Sequence, residues 1–116
     1  MNILAMEYSG YGLYNGVASS DRLLNDALYV YDHLTNKLGV SPNDIVIFGR
    51  SIGSSPACFI ANNRNPAALI LMSPFKSIRE VAKDLVGWML SLAIAERFRN
   101  IDLIQEIKCA TFIVHG

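Results

Sequence analysis

The chain has 116 residues, of which 52% are hydrophobic, and its ten basic residues balance its ten acidic ones. This length and apolar content are sufficient for one small domain with a buried core. The neutral balance gives no electrostatic attraction for nucleic acid, so we exclude nucleic acid as a partner. The two cysteines, Cys58 and Cys109, lie in apolar runs without metal-ligand spacing, which is typical of reduced core residues in a cytoplasmic protein.

No charged and apolar leader precedes the first predicted strand, so a cleaved secretory signal is not expected. The longest apolar stretch, residues 85–95, is shorter than the ~20 residues that a membrane-spanning helix needs. We therefore expect a cytoplasmic protein, and a peripheral association with membranes stays open.

Strand and helix patterns alternate along the first part of the chain. Residues 2–7 predict a buried strand that leads into a glycine-rich loop at residues 9–12. Apolar residues then recur every three or four positions, which predicts a helix over residues 20–38 that Gly39 ends. The apolar face of this helix consists of Leu24, Ala27, Leu28, Tyr31, Leu34 and Leu38.

The alternation continues to the end of the chain. Strands are predicted at residues 45–48, 67–72 and 110–114, and a helix begins after the first of these and ends near Asn62. A long amphipathic helix is predicted over residues 78–92, and a short helical turn over residues 101–107. Such fully apolar strands between helices indicate an α/β fold, with a mostly parallel sheet and helices on both faces.

One motif stands at the junction between the strand at residues 45–48 and the helix that follows it. Gly49-Arg50-Ser51-Ile52-Gly53 has the pattern Gly-x-Ser-x-Gly, which in this position is typical of a nucleophile elbow. The sharp turn strains the serine backbone and raises its hydroxyl beside backbone N–H groups. We expect a side chain at either glycine to collide with the serine or the helix. The alternative is an ordinary glycine-bounded turn.

Five segments together carry a family resemblance. They are Tyr8-Ser9-Gly10-Tyr11-Gly12, the Gly49–Gly53 motif, Leu71-Met72-Ser73-Pro74-Phe75, Asn100-Ile101-Asp102 and Phe112-Ile113-Val114-His115-Gly116. In this order they resemble the α/β-hydrolase superfamily, and in particular its branch of α/β-hydrolase-domain depalmitoylases and serine-aminopeptidase-like hydrolases. The resemblance implies that residues 1–116 form a single partial domain containing strands four to seven of the eight-stranded family sheet.

The resemblance also implies a function, which is serine-dependent hydrolysis of acyl esters, thioesters or amides. Ser51 would attack the acyl carbonyl, and the backbone N–H of Ile52 would be one oxyanion donor. The implied substrate is a small acyl compound or an acylated protein or peptide; no metal or organic cofactor is implied, and the oligomeric state is open. Further loop and pocket candidates are Tyr8, Gly10, Tyr11, Gly12 and Ser73.

The resemblance implies that the groups that would activate Ser51 lie outside residues 1–116. The family places its second oxyanion donor in a loop that would precede Met1, and its catalytic Asp and His after Gly116. His115 fits a structural residue at a strand end better than a general base. The alternative function is therefore a non-catalytic α/β-hydrolase-like fragment or pseudoenzyme that acts as a binding or scaffold element.

Other sites fit the sequence less well. Gly10, Gly12 and Gly16 are spaced one residue too widely for a dinucleotide fingerprint, and the predicted helix begins too late to bind a pyrophosphate. The Gly49–Gly53 motif lacks the lysine of a phosphate loop. The apolar second half of the helix predicted over residues 78–92, around Trp88, indicates burial under a neighbouring helix; the alternative is a lid or acyl-chain wall.

Overall fold

A computed structural model describes residues 1–8, 20–74 and 102–115. Its regular elements are helix α1 (Ser20–Asp32), strand β1 (Val46–Arg50), helix α2 (Ser54–Asn63), strand β2 (Ala68–Met72) and strand β3 (Ala110–Val114). The three strands form one parallel sheet in the order β1-β2-β3. The predicted α/β class and parallel sheet are therefore confirmed, and the bounds of β1, α2, β2 and β3 lie within a few residues of the predictions.

The core lies between this sheet and α2. Leu69 and Leu71 on β2 are 0% and 1% exposed, and they cluster with three small side chains of α2, Ala57, Cys58 and Ala61. Small residues on α2 allow the helix backbone to approach the sheet closely, because no long side chain separates them. The contact fixes the position of the first turn of α2 above the end of β1.

Helix α1 packs against α2. Its residues Leu23, Leu24, Ala27 and Tyr31 are buried, and all but Leu23 belong to the predicted apolar face. Leu38 was wrongly included in that face, since it follows the last helical turn and is 62% exposed. A π-helical turn, His33–Lys37, extends α1, and the chain then leaves the helix at Gly39, whose φ of +67° a glycine adopts without strain. The predicted end of the helix is confirmed.

The other face of the sheet carries apolar side chains that are exposed. Val46, Phe48 and Phe112 are 54%, 58% and 64% exposed, and in the described part of the chain both helices lie on the α2 side. Helices on both faces therefore stay a prediction. The helix predicted over residues 78–92 and the loop at residues 9–12 lie outside the described residues.

The prediction of a strand at residues 2–7 was wrong for this structure. Residues 1–8 form no regular element, and Ile3 and Leu4 are 83% and 58% exposed. A strand needs a neighbour that pairs with its N–H and C=O groups. Among the described residues β1 pairs only with β2, so nothing pairs with residues 2–7.

Candidate functional site

The Gly49–Gly53 motif forms the junction between β1 and α2. A single 3-10 turn, Ser51–Gly53, connects the last residue of β1 to the first residue of α2. Ser51 is exposed and has a φ of +50°, a left-handed conformation that L side chains rarely adopt. Such a residue stores roughly 1–2 kcal/mol of strain, and it persists only where its surroundings hold it.

Gly49 is the first of the groups that hold this turn. A β-carbon at Gly49 would lie 2.5 Å from the Gly53 carbonyl oxygen, 2.7 Å from the Ala57 β-carbon and 2.9 Å from the Ser54 α-carbon. These distances are well inside van der Waals contact, so a side chain at Gly49 would push α2 away from β1. The expected collision at this position is confirmed.

The same expectation was wrong for Gly53. A β-carbon there would have as its nearest neighbour only the hydroxyl of Tyr8, at 3.3 Å, and the φ of Gly53 is an ordinary −68°. The chain has already entered helical geometry at Gly53, where any L-residue fits without backbone strain. The described structure gives a steric reason for the first glycine of the motif and none for the second.

Ser54 is the second group that holds the turn, and the sequence reasoning did not single it out. Its backbone N–H and its hydroxyl both donate to the carbonyl oxygen of Ser51, the hydroxyl at 2.6 Å. Its side chain is completely buried. The available signal was a serine in the first turn of a helix, three residues after the candidate nucleophile, where short hydroxyl side chains bond to nearby backbone.

The strand register brings three polar residues to one edge of the sheet. Arg50, Met72 and Val114 are partners across the sheet, and they are followed directly by Ser51, Ser73 and His115. The N–H of Ser73 donates to the carbonyl of Val114 at 2.8 Å, so β2 and β3 stay paired up to this point.

Ser73 therefore lies between Ser51 and His115. Adjacent strands are about 4.8 Å apart, which puts the backbones of Ser51 and His115 about 10 Å from each other. His115 directly follows Val114, the last residue of β3. The arrangement agrees with the interpretation of His115 as a residue of the strand end.

Among the other predicted site residues, Tyr8 lies beside the turn. Its ring is half-buried, and its hydroxyl is the neighbour of Gly53 described above. Ile52, whose backbone N–H is the predicted oxyanion donor, is the middle residue of the 3-10 turn and is half-buried. The remaining candidates, Gly10, Tyr11 and Gly12, lie outside the described residues.

Cys58 lies on α2, close behind the turn, and is 1% exposed. Burial raises the pKa of its thiol to about 11, so the thiol stays protonated at neutral pH. It is therefore a core side chain and not a competing nucleophile. Within the described ranges, no three His, Cys, Asp or Glu side chains converge as metal ligands, and no helix is long and apolar enough to cross a bilayer.

A cavity of about 630 Å³ lies at the opposite edge of the sheet, before the first residues of β1 and β2. Its charged lining residues are Asp32 and Arg64, and they bind each other through two hydrogen bonds of 2.7 Å. The guanidinium lowers the pKa of Asp32, which keeps the carboxylate ionised. Because the two charges neutralise each other, this cavity offers no charge for a ligand.

Known proteins resemble this chain along nearly its whole length. It is 32% identical over 117 aligned residues to the alpha/beta hydrolase domain-containing protein aho-3 of Caenorhabditis elegans. It is 33% identical over 115 residues to the alpha/beta hydrolase domain-containing protein 17C of Mus musculus. Each alignment covers 99% of the chain. The chain belongs to the α/β-hydrolase superfamily.

These α/β-hydrolase relatives are considerably longer than the chain, which spans 34% of the nematode protein and 35% of the mouse protein. An uncharacterized protein of Mycobacterium tuberculosis is also 32% identical, and the chain spans 42% of it. No protein-family profile matches the chain, and no solved structure matches it.

Proposed function

We propose that the full-length protein is a serine hydrolase of acyl esters, thioesters or amides, and that Ser51 is its nucleophile. The observation that carries this proposal is the left-handed backbone of Ser51, an exposed serine that directly follows β1. Gly49 and Ser54 both maintain that conformation. A strained serine that its surroundings support in this way is typical of a nucleophile.

The chemistry assigned to Ser51 is acyl transfer. Its Oγ forms a bond to the acyl carbon, its proton passes to a general base, and the carbonyl oxygen becomes an oxyanion that the N–H of Ile52 binds. The oxyanion then collapses, the leaving group departs, and water releases the acyl group from Ser51. The general base, the acid that orients it and the second oxyanion donor belong, in this proposal, to parts of the protein outside residues 1–116.

Membership of the α/β-hydrolase superfamily supports hydrolysis as the class of reaction. The substrate is a further proposal. We propose a small acyl compound or an acylated protein or peptide in the cytoplasm, with no metal or organic cofactor. Residues 1–116 would contribute the central part of one catalytic domain.

The test is covalent labelling of the full-length protein with a fluorophosphonate probe, which reacts with activated serines. We expect the wild-type protein to be labelled, Ser51→Ala to lose the label, and Ser41→Ala to keep it. Ser41 is a matched control because it is also exposed but lies before β1, at the opposite edge of the sheet.

Circular dichroism must show that Ser51→Ala remains folded. Equal labelling of wild type and Ser51→Ala would refute Ser51 as the nucleophile. A folded wild-type protein that takes no label and hydrolyses no p-nitrophenyl ester would instead favour the non-catalytic scaffold.

A further inference from the structure

Ser73 shares the unusual backbone of Ser51. Among the described residues, only these two have a positive φ without being glycine, +50° for Ser51 and +45° for Ser73. Both directly follow a strand, and the strand residues before them, Arg50 and Met72, are partners in the parallel ladder. Both serines are exposed.

The positive φ of Ser73 is unfavourable for two reasons: the residue has a β-carbon, so glycine would fit better, and a proline follows. Glycine would adopt this φ without steric cost. Moreover, the next residue is Pro74, and a residue before proline is driven towards extended backbone. The backbone N–H of Ser73 donates a hydrogen bond to the carbonyl oxygen of Val114. A glycine would make the same backbone hydrogen bond without strain, so what serine adds at this position is its hydroxyl.

The position of that hydroxyl suggests its use. Neighbouring strands are about 4.8 Å apart, so the strand residues that precede Ser73 and Ser51 are separated by one strand spacing at the same edge of the sheet. An acyl group attacked by Ser51 would lie about 3 Å from its Oγ, within reach of a second exposed hydroxyl on the adjacent strand. Residues in sparsely populated backbone regions cluster where ligands are held.

We propose that Ser73 is a substrate-binding residue of this hydrolase, whose hydroxyl donates a hydrogen bond to the ester group of the acyl substrate beside Ser51. This inference rests on the proposed function of Ser51. Ser73 takes no part in bond making: the covalent bond forms at Ser51, and Ser73 keeps its proton. Its contribution is to the binding and orientation of the acyl group.

The experiment compares Ser73→Ala with Ser73→Gly in the full-length protein, with p-nitrophenyl butyrate as the substrate. Both variants lack the hydroxyl, while only Ser73→Gly also relieves the backbone strain. We expect both to lower kcat/KM about tenfold, mainly through a higher KM, as for the loss of one hydrogen bond to substrate. Both should still be labelled at Ser51 by the fluorophosphonate probe.

The possible outcomes separate the two proposals. If the wild-type protein is labelled at Ser51 and both Ser73 variants keep kcat/KM within twofold, Ser73 does not bind the substrate, while Ser51 remains the nucleophile. If Ser73→Gly keeps wild-type kcat/KM and only Ser73→Ala loses it, the backbone matters and the hydroxyl does not, which also overturns the inference. If the wild-type protein neither labels nor hydrolyses the ester, the proposed function itself fails, and the role of Ser73 fails with it.

Discussion

The carbonyl oxygen of Gly53 lies 2.5 Å from the place where a β-carbon on Gly49 would stand. The end of β1 is therefore packed, backbone against backbone, on the residues that lead into α2, and Ser51 lies in the bend between them. The closeness of this contact explains how the left-handed conformation of Ser51 is kept: α2 cannot move away without losing the contacts of Ala57 with the core.

Gly49→Ala should destabilise the full-length protein by about 3 kcal/mol, since overpacking of a tight site costs roughly 1–3 kcal/mol and here two of the three clashing atoms are backbone. Gly53→Ala is the matched control. It should change the free energy of unfolding by less than about 1 kcal/mol, because the φ of −68° suits alanine and the Tyr8 side chain needs to shift by only a few tenths of an ångström. Urea unfolding followed by circular dichroism measures both, and an equal loss in the two variants would contradict the steric explanation.

Ser51→Gly should be more stable than Ser51→Ala, although both lack the nucleophile. Alanine keeps the β-carbon and its left-handed strain of roughly 1–2 kcal/mol, whereas glycine releases it. Glycine also gives the unfolded chain more freedom, which opposes this gain by roughly 0.5–1 kcal/mol. We therefore expect a net difference of about 0.5–1 kcal/mol in favour of glycine, measured by thermal unfolding of the two variants side by side. A more stable alanine variant would show that the strain is not present in solution.

Ser54 and Ser55 give a second matched pair, because both are buried and, within the described part of the chain, only the Ser54 hydroxyl is hydrogen-bonded. Ser54 donates to Ser51, whereas the Ser55 hydroxyl has no hydrogen-bond partner among the described residues. Loss of the buried hydrogen bond in Ser54→Ala should cost about 1 kcal/mol, while Ser55→Ala removes an unsatisfied polar group and should be neutral or stabilising. Denaturant midpoints at constant slope measure the two effects, and similar destabilisation by both would indicate that Ser55 has a partner.

The pair Asp32–Arg64 should give a pH-dependent contribution to stability. The hydrogen bonds from Arg64 lower the pKa of Asp32 in the folded state. The pair therefore stabilises the folded state above the unfolded pKa of about 3.9, and this contribution is lost as the pH falls through the lowered folded value. Because both side chains are about one third exposed, at 38% and 33%, we expect only about 0.5–1 kcal/mol from the pair.

The measurement compares the wild-type protein with Asp32→Asn at pH 7 and at about pH 2.5. The variant should be less stable at pH 7, and the difference should shrink towards zero at the lower pH and in high salt. Asp44→Asn is the control, since it makes the same charge change at an exposed side chain with no ion pair to another described residue. A difference that persists unchanged at the lower pH would show that the ion pair is not its source.

Much of the fold follows from local patterns. The continuous apolar run at residues 67–72 predicted β2 because a central parallel strand is buried on both sides, and β2 has that position. Gly39 marked the end of the first helix because few other residues adopt its φ. The Gly-x-Ser-x-Gly pattern located the turn because it lies directly between a strand-forming run and a helix-forming run.

Other features depended on contacts between distant segments. Residues 2–7 have the composition of a strand, but a strand forms only where a neighbour supplies hydrogen bonds. In the described structure these residues pair with neither β1 nor another strand. The difference between Gly49 and Gly53 could not be predicted from the motif, because it depends on where α2 lies. The alignment of Ser73 with Ser51 is likewise a consequence of register between β1 and β2.

By itself, then, the sequence determined which segments are strands and helices in the described core, and which serine occupies the strained turn, because propensity, periodicity and glycine geometry are local properties of the chain. The tertiary structure decided what surrounds that serine: the packing of Gly49 on Gly53, the hydrogen bond from Ser54, and the neighbouring position of Ser73. These depend on distances across the sheet and between sheet and helix, which arise only when segments far apart in the chain pack against one another.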